Sequence, residues 1–173
     1  MTYYIKALVL LVTSLLFGFF IGAYGLEYYE STAFKPWSWS SPPVVINCYG
    51  PELSNIYLAR GVDYWITRGE SVSFIEEKFI KNVCAKEDIP GFIIMRKAAY
   101  RQLNSSTLAI TKRKTTIMTG MVSATIYFQP GAYKLEHIIE HELGHAFGYT
   151  HVDAPSHIMN PSFGMMGDKF WIP

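Results

Sequence analysis

Residues His141–His151 read HELGHAFGYTH and hold three of the five histidines in the 173-residue chain. The preceding KLEHIIE has helical period, so His141 and His145 fall one turn apart on one helix face with Glu142 beside them. Continuing that helix would carry His151 about 15 Å along the axis from His141. The three imidazoles converge only if the helix stops between them. Gly148 is where it can stop, because glycine takes the positive φ that ends a helix and turns the chain back. The constraint on the fold is a helix broken at Gly148, with a return that brings His151 to the face carrying the other two.

Such a convergence suits a metal. Zinc takes histidine nitrogen at about 2.0–2.1 Å, and a glutamate next to two of the ligands can address a bound water. The expectation is one Zn2+ held by His141, His145 and His151, with Glu142 as base. His137 precedes His141 by four residues, but ligands at 137, 141 and 145 would spread over ~12 Å of helix, too far for one ion. His137 therefore reads as a supporting or surface residue. His157 has no ligand spacing and reads as a hydrogen-bonded loop histidine.

From Ala7 to Leu26 there is no charge, and Lys6 and Glu27 flank the run. About 20 such residues in a helix span roughly 30 Å of hydrocarbon. Two readings stay open, a signal peptide cleaved near Ala23–Gly25 and an uncleaved anchor, and the length favours the anchor. Lys6 ahead of the run and Glu27 and Glu30 behind it favour export of the rest. The expected organisation is a transmembrane anchor or signal over 1–26, a Pro/Ser-rich stalk over 27–43 and a folded domain over 44–173. The domain is expected outside the cytoplasm, on a single-pass membrane protein or secreted. Cys48 and Cys84 fit that compartment as a disulfide; the rival is Cys48 as an inhibitory thiolate ligand. With 15 Lys+Arg and 14 Asp+Glu, the formal charge of +1 gives no field that favours nucleic acid. Lys112, Arg113 and Lys114 lack interleaved aromatics and read as a solvated turn.

Along the domain, VVINCY reads as a strand and the stretch 51–68 as a long helix, with Trp65 in its core-facing stripe. SVSFI, GFIIMR, TLAIT and MVSATIYF read as short strands, and the helix ending at Gly148 follows them. No segment beyond it has helical period. This order predicts one α+β domain with a sheet built before the active-site helix.

The pattern H-E-x-x-H-x-x-G-x-x-H is followed by Met159, eight residues after His151, which matches the metzincin signature with its Met-turn. That spacing, Gly144 inside the motif and the approach SATIYFQPGAYKLEHIIE resemble the matrixins, the matrix-metalloprotease type of zinc protease. The resemblance is specific over Ala124–Pro161. It implies a twisted, mostly parallel sheet with one antiparallel edge strand above a cleft, and Met159 as a floor beneath the zinc. It also implies an endopeptidase whose protein or peptide substrate lies along that edge strand. The alternative from another class is a catalytically inactive extracytoplasmic zinc-binding or structural module. The chain departs from matrixins at Val152, at Asn160 where a tyrosine is usual, and at PSFGMMGDKFWIP where a C-terminal helix is usual. Phe163, Met165 and Met166 either line the pocket for the residue after the scissile bond or replace core that the helix would supply.

Overall fold

The computed structural model describes residues 34–76, 79–99, 101–116 and 120–172. Lys35–Ile172 forms one compact unit. Its elements are strand β1 (Val44–Asn47), helix α1 (Asn55–Ile66), β2 (Phe74–Glu76), the single turn α2 (Lys81–Cys84), β3 (Phe92–Lys97), β4 (Ala109–Thr116), β5 (Gly120–Phe128) and helix α3 (Ile138–Phe147). Short 3-10 turns at Ala132–Lys134 and Phe163–Met165 flank α3 and the segment beyond it.

The five strands form one sheet in the order β2-β1-β3-β5-β4. The first four run parallel, and β4 alone is antiparallel, paired with β5 at the edge. Strands β1 and β3 are continuous apolar runs because a parallel strand inside a sheet is covered on both faces; Val45, Ile46, Ile93, Ile94 and Met95 are fully buried. Helices α1 and α3 pack against each other, with Leu58, Val62 and Trp65 from α1 and Ile139, Leu143 and Phe147 from α3 all at 0 % exposure. Trp65 is core, and its indole N–H donates to the Glu140 carbonyl of α3 at 2.7 Å.

Three local readings are corrected. Lys112–Lys114 is the middle of β4, not a turn, with Lys112 opposite Thr125 and Arg113 opposite Ala124. An edge strand accepts charges because one of its sides meets solvent; Lys112 and Lys114 are exposed and Arg113 between them is half-buried. The second correction concerns the stalk, since residues 35–43 belong to the folded unit. Their aromatic residues are the reason. Trp39 bridges to Met121 and donates its indole N–H to Ala146 O at 2.9 Å, while Ser38 O accepts from Met121 N at 2.9 Å. Helix α1 also begins at Asn55 rather than Pro51, because Pro51 and Glu52 are spent in a turn.

Cys48, just past β1, is bonded to Cys84 at the end of α2, with Cα atoms 5.3 Å apart. Neither thiol is free, so Cys48 is no ligand to a metal. The expected membrane segment 7–26 lies outside the described residues. Among the described residues no helix is long and apolar enough to cross a membrane. In place of a C-terminal helix, the chain after Met159 runs as a strap. It pairs Lys169 with His157 and sets the Phe170 ring edge-on to Trp65 at 5.1 Å.

Candidate active site

Helix α3 ends as its glycine requires. Gly148 has φ 107°, its N–H donates to His145 O at 3.0 Å, and the next N–H, from Tyr149, donates to Gly144 O at 2.9 Å. This pair of bonds is the Schellman end, which satisfies the last carbonyls while reversing the chain. The reversal delivers His151. His145 Nε2 lies 3.1 Å from His141 Nε2 and 3.0 Å from His151 Nε2. Among the described residues these three side chains are the one group whose ligand atoms gather as a metal site, all within 4.8 Å of one another.

The hydrogen bonds behind the rings decide what the gathered nitrogens can do. His141 Nδ1 is 2.8 Å from Ile158 O, and His145 Nδ1 is 2.9 Å from Tyr149 O. A carbonyl only accepts, so each Nδ1 carries the proton and each neutral ring turns a bare Nε2 lone pair toward the others. Lone pairs set at this distance repel unless a cation sits between them. The spacing is close to the ~3.3–3.4 Å between ligands of a tetrahedral zinc with 2.0–2.1 Å bonds. Burial, with help from the neighbouring histidines, holds His141 down to about 4 and His145 down to about 3, and burial lowers His151 as well. All three rings are therefore neutral, as ligands must be, at ordinary pH.

Glu142 is buried, and Thr111 Oγ1 on β4 stands 2.6 Å from its Oε2. Burial pushes the carboxyl up to about 7, and the bond from Thr111 opposes that rise. Beneath the triad Met159 is fully buried, and a Cβ built on Gly144 would meet its sulfur at 2.3 Å. The thioether fills the space that a side chain at 144 would take, which accounts for the glycine inside the motif. Met159 is held in turn by His157: its N–H donates to His157 Nδ1 at 3.0 Å, and the other ring nitrogen faces Trp171 O at 3.1 Å. Asn160, in the place of the usual tyrosine, ties the same turn by donating to Ala154 O at 2.9 Å and accepting from Ser162 N at 2.8 Å. Val152 N donates to Met159 O at 2.9 Å, which fastens the third histidine's return to the Met-turn. His137 stands aside at the start of α3, 3.7 Å from Glu136 Oε1.

These residues open on a cleft of 570 Å³ between β4 and the chain after α3. Leu108, Ala109, Thr111 and Arg113 line its upper side, and Pro161, Phe163 and Met166 also face it, while Met165 points to solvent. The sequence reading missed Thr111 and Arg113. Alternation from Ala109 along β4 would have found both, had the basic cluster been read as strand.

The matrixin family model matches residues 64–172, from the last turn of α1 to the C-terminal strap. This chain is a matrixin. No curated protein and no solved structure matches it. Its sheet, with β4 antiparallel above the cleft, is the mixed sheet a matrixin domain implies, and its three-histidine group fits a single catalytic zinc ion. Membership assigns the matrixin to the zinc metalloproteases, with a peptide as the class of substrate.

Proposed function

We propose that this matrixin is a zinc-dependent endopeptidase in which Glu142 is the general base. The observation that carries the reading is geometric: a buried carboxylate one residue from His141, on the cleft side, held by Thr111 Oγ1 at 2.6 Å from its Oε2. A carboxylate fixed beside the ligand set is within reach of a water bound there, as a general base has to be. Bound zinc would supply Lewis acidity, polarising the scissile carbonyl and acidifying a water. Glu142 accepts the proton of the attacking water and delivers it to the leaving amine. Thr111 holds the carboxylate against β4, and Met159 packs the floor under the ligands.

The substrate lies extended beside β4, whose outer edge has no strand partner among the described residues. Main-chain hydrogen bonds then give binding that does not depend on sequence. The apolar end of the cleft, at Leu108, Ala109 and Ile138, takes the side chain after the scissile bond. The disulfide and the apolar run 7–26 support an extracytoplasmic domain, anchored by or released from an N-terminal membrane segment.

Replacing Glu142 by Ala tests the mechanism and separates it from an inert zinc-binding module. Hydrolysis of an unfolded protein should fall by at least ~100-fold, while zinc content by metal analysis stays at one per chain. A fully zinc-loaded wild type that leaves unfolded protein intact sinks the enzyme reading.

A further inference from the structure

The cleft is not uniform along its length. Thr111 meets Glu142, and Arg113 meets Tyr149 just past the helix end, so β4 runs beside α3 in the same sense. Leu108 and Ala109 lie at the start of the helix, and Arg113 lies at its C-terminal end, beyond the histidines. Among the cleft-lining residues Glu142 is the one carboxylate and Arg113 the one permanent cation.

Arg113 is unusually placed for a guanidinium. It stacks over the Trp37 ring, with Cζ 4.9 Å from the ring centroid, and Nη1 reaches Tyr149 O at 3.4 Å. No carboxylate among the described residues pairs with it. Burial lowers its pKa, yet a guanidinium keeps its charge at any physiological pH. Four of its five N–H donors have no protein partner among the described residues, and none of these nitrogens is sealed from solvent, so they face water and are open to an incoming group that displaces it. The flanking Lys112 and Lys114 alternate to the other side of the strand and do not line the cleft, so Arg113 is the cation that β4 turns toward it.

The geometry points to Arg113 as a specificity-determining residue that receives a carboxylate side chain of the substrate, N-terminal to the scissile bond. This rests on the endopeptidase reading above and on the apolar end taking the residue after the bond. Arg113 lies two residues past Thr111, or ~7 Å of extended strand, so the acidic side chain falls about two or three positions before the bond. The guanidinium fork would accept it in two parallel charge-assisted bonds while Trp37 holds the fork flat.

The test uses the full zinc-loaded chain and a matched set of peptides. They carry Glu, Gln or Lys two or three residues before the bond, or Glu the same distance after it. In wild type, Glu before the bond should raise kcat/KM about tenfold over Gln, and the gain should shrink as salt rises. Arg113→Glu should reverse the order so that Lys leads Glu, and Arg113→Lys should keep the order with a smaller gain. Each result is a ratio within one variant, so a general loss of fold or activity does not mimic it. Equal rates for Glu and Gln in wild type, a preference for Glu on the far side, or a Glu preference surviving in Arg113→Glu would each overturn the assignment. Cleavage of the Gln peptide shows that the protease reading stands even then; failure to cleave any peptide counts against both.

Discussion

His141 and His145 are the residues where folding and metal binding meet the same proton. Their pKa values, about 4 and about 3, lie below the ordinary 6.5 because burial disfavours the charged ring. Between those values and 6.5 the unfolded chain binds protons that the folded domain refuses. Stability from these groups is therefore complete above pH 6.5 and is lost as pH falls through the window toward 4. Glu142 acts in the opposite sense. Its carboxyl, raised to about 7 from 4.5, keeps a proton in the fold that the unfolded chain has released, so its contribution declines as pH rises from 4.5 to 7. Two strongly shifted histidines, joined by His151, outweigh one carboxyl. The zinc-free protein is therefore expected to melt at a lower temperature at pH 5 than at pH 6.5, followed by circular dichroism. Zinc should widen the difference, since the ion binds only the neutral rings. A melting temperature that rises on acidification in the zinc-free protein would show that the rings are not buried neutral.

At the scale of the element, α3 is a helix whose last residue matters more than its length. Gly148 combines a φ of 107° with contact to another segment, since a Cβ there would meet Trp37 O at 2.0 Å. Gly148→Ala therefore meets two costs at once, a side chain in the left-handed region and a clash with main chain that cannot rotate away. Together they should cost at least about 2 kcal/mol in urea unfolding. Because the return to His151 starts at this residue, zinc affinity measured by competition with a chelator should weaken as well; an unchanged affinity would mean that His151 arrives by another route. This element was legible in the sequence because its signals are local: helical period, ligand spacing and a terminal glycine. Strand β4 was half legible. TLAIT showed its start, but KRK hid its middle, because an edge strand spends its outer side on charges that look like a turn. The single turn α2 was missed, since four residues carry no period. The neutral tautomers, the Thr111 bond and the packing of Met159 on Gly144 depend on residues from different elements, and no spacing encodes them.

Across the whole molecule, stability depends on ties between distant parts of the chain. The bridge from Cys48 to Cys84 closes 36 residues, worth about 3–4 kcal/mol by loop entropy. The N-terminal tie is less visible, because Trp39 reaches Ala146 across 107 residues and nothing near it in sequence announces the contact. Residues 35–39 touch the active-site region at several points. Trp39 binds α3, Trp37 lies against Gly148 and under Arg113, and Lys35 pairs with Glu70, which accepts from the Tyr149 hydroxyl at 2.6 Å. Tyr149 precedes His151 by two residues and its carbonyl orients His145, so this segment braces two of the three ligands from behind. A free stalk would contribute nothing to the domain, and a docked segment must. The comparison that decides is between chains beginning at Lys35 and at Val44, both ending at Ile172. Losing two half-buried indoles and the hydrogen bond from Trp39 to Ala146 should cost about 3–5 kcal/mol, which at this size lowers the melting temperature by roughly 10 °C. The shorter chain should also hold zinc less tightly, because Tyr149 loses Lys35 from its ring face and Gly148 loses the carbonyl it packs on. Equal melting temperatures for the two chains would return residues 35–43 to the role of a tether and leave the helix end to brace the ligands alone.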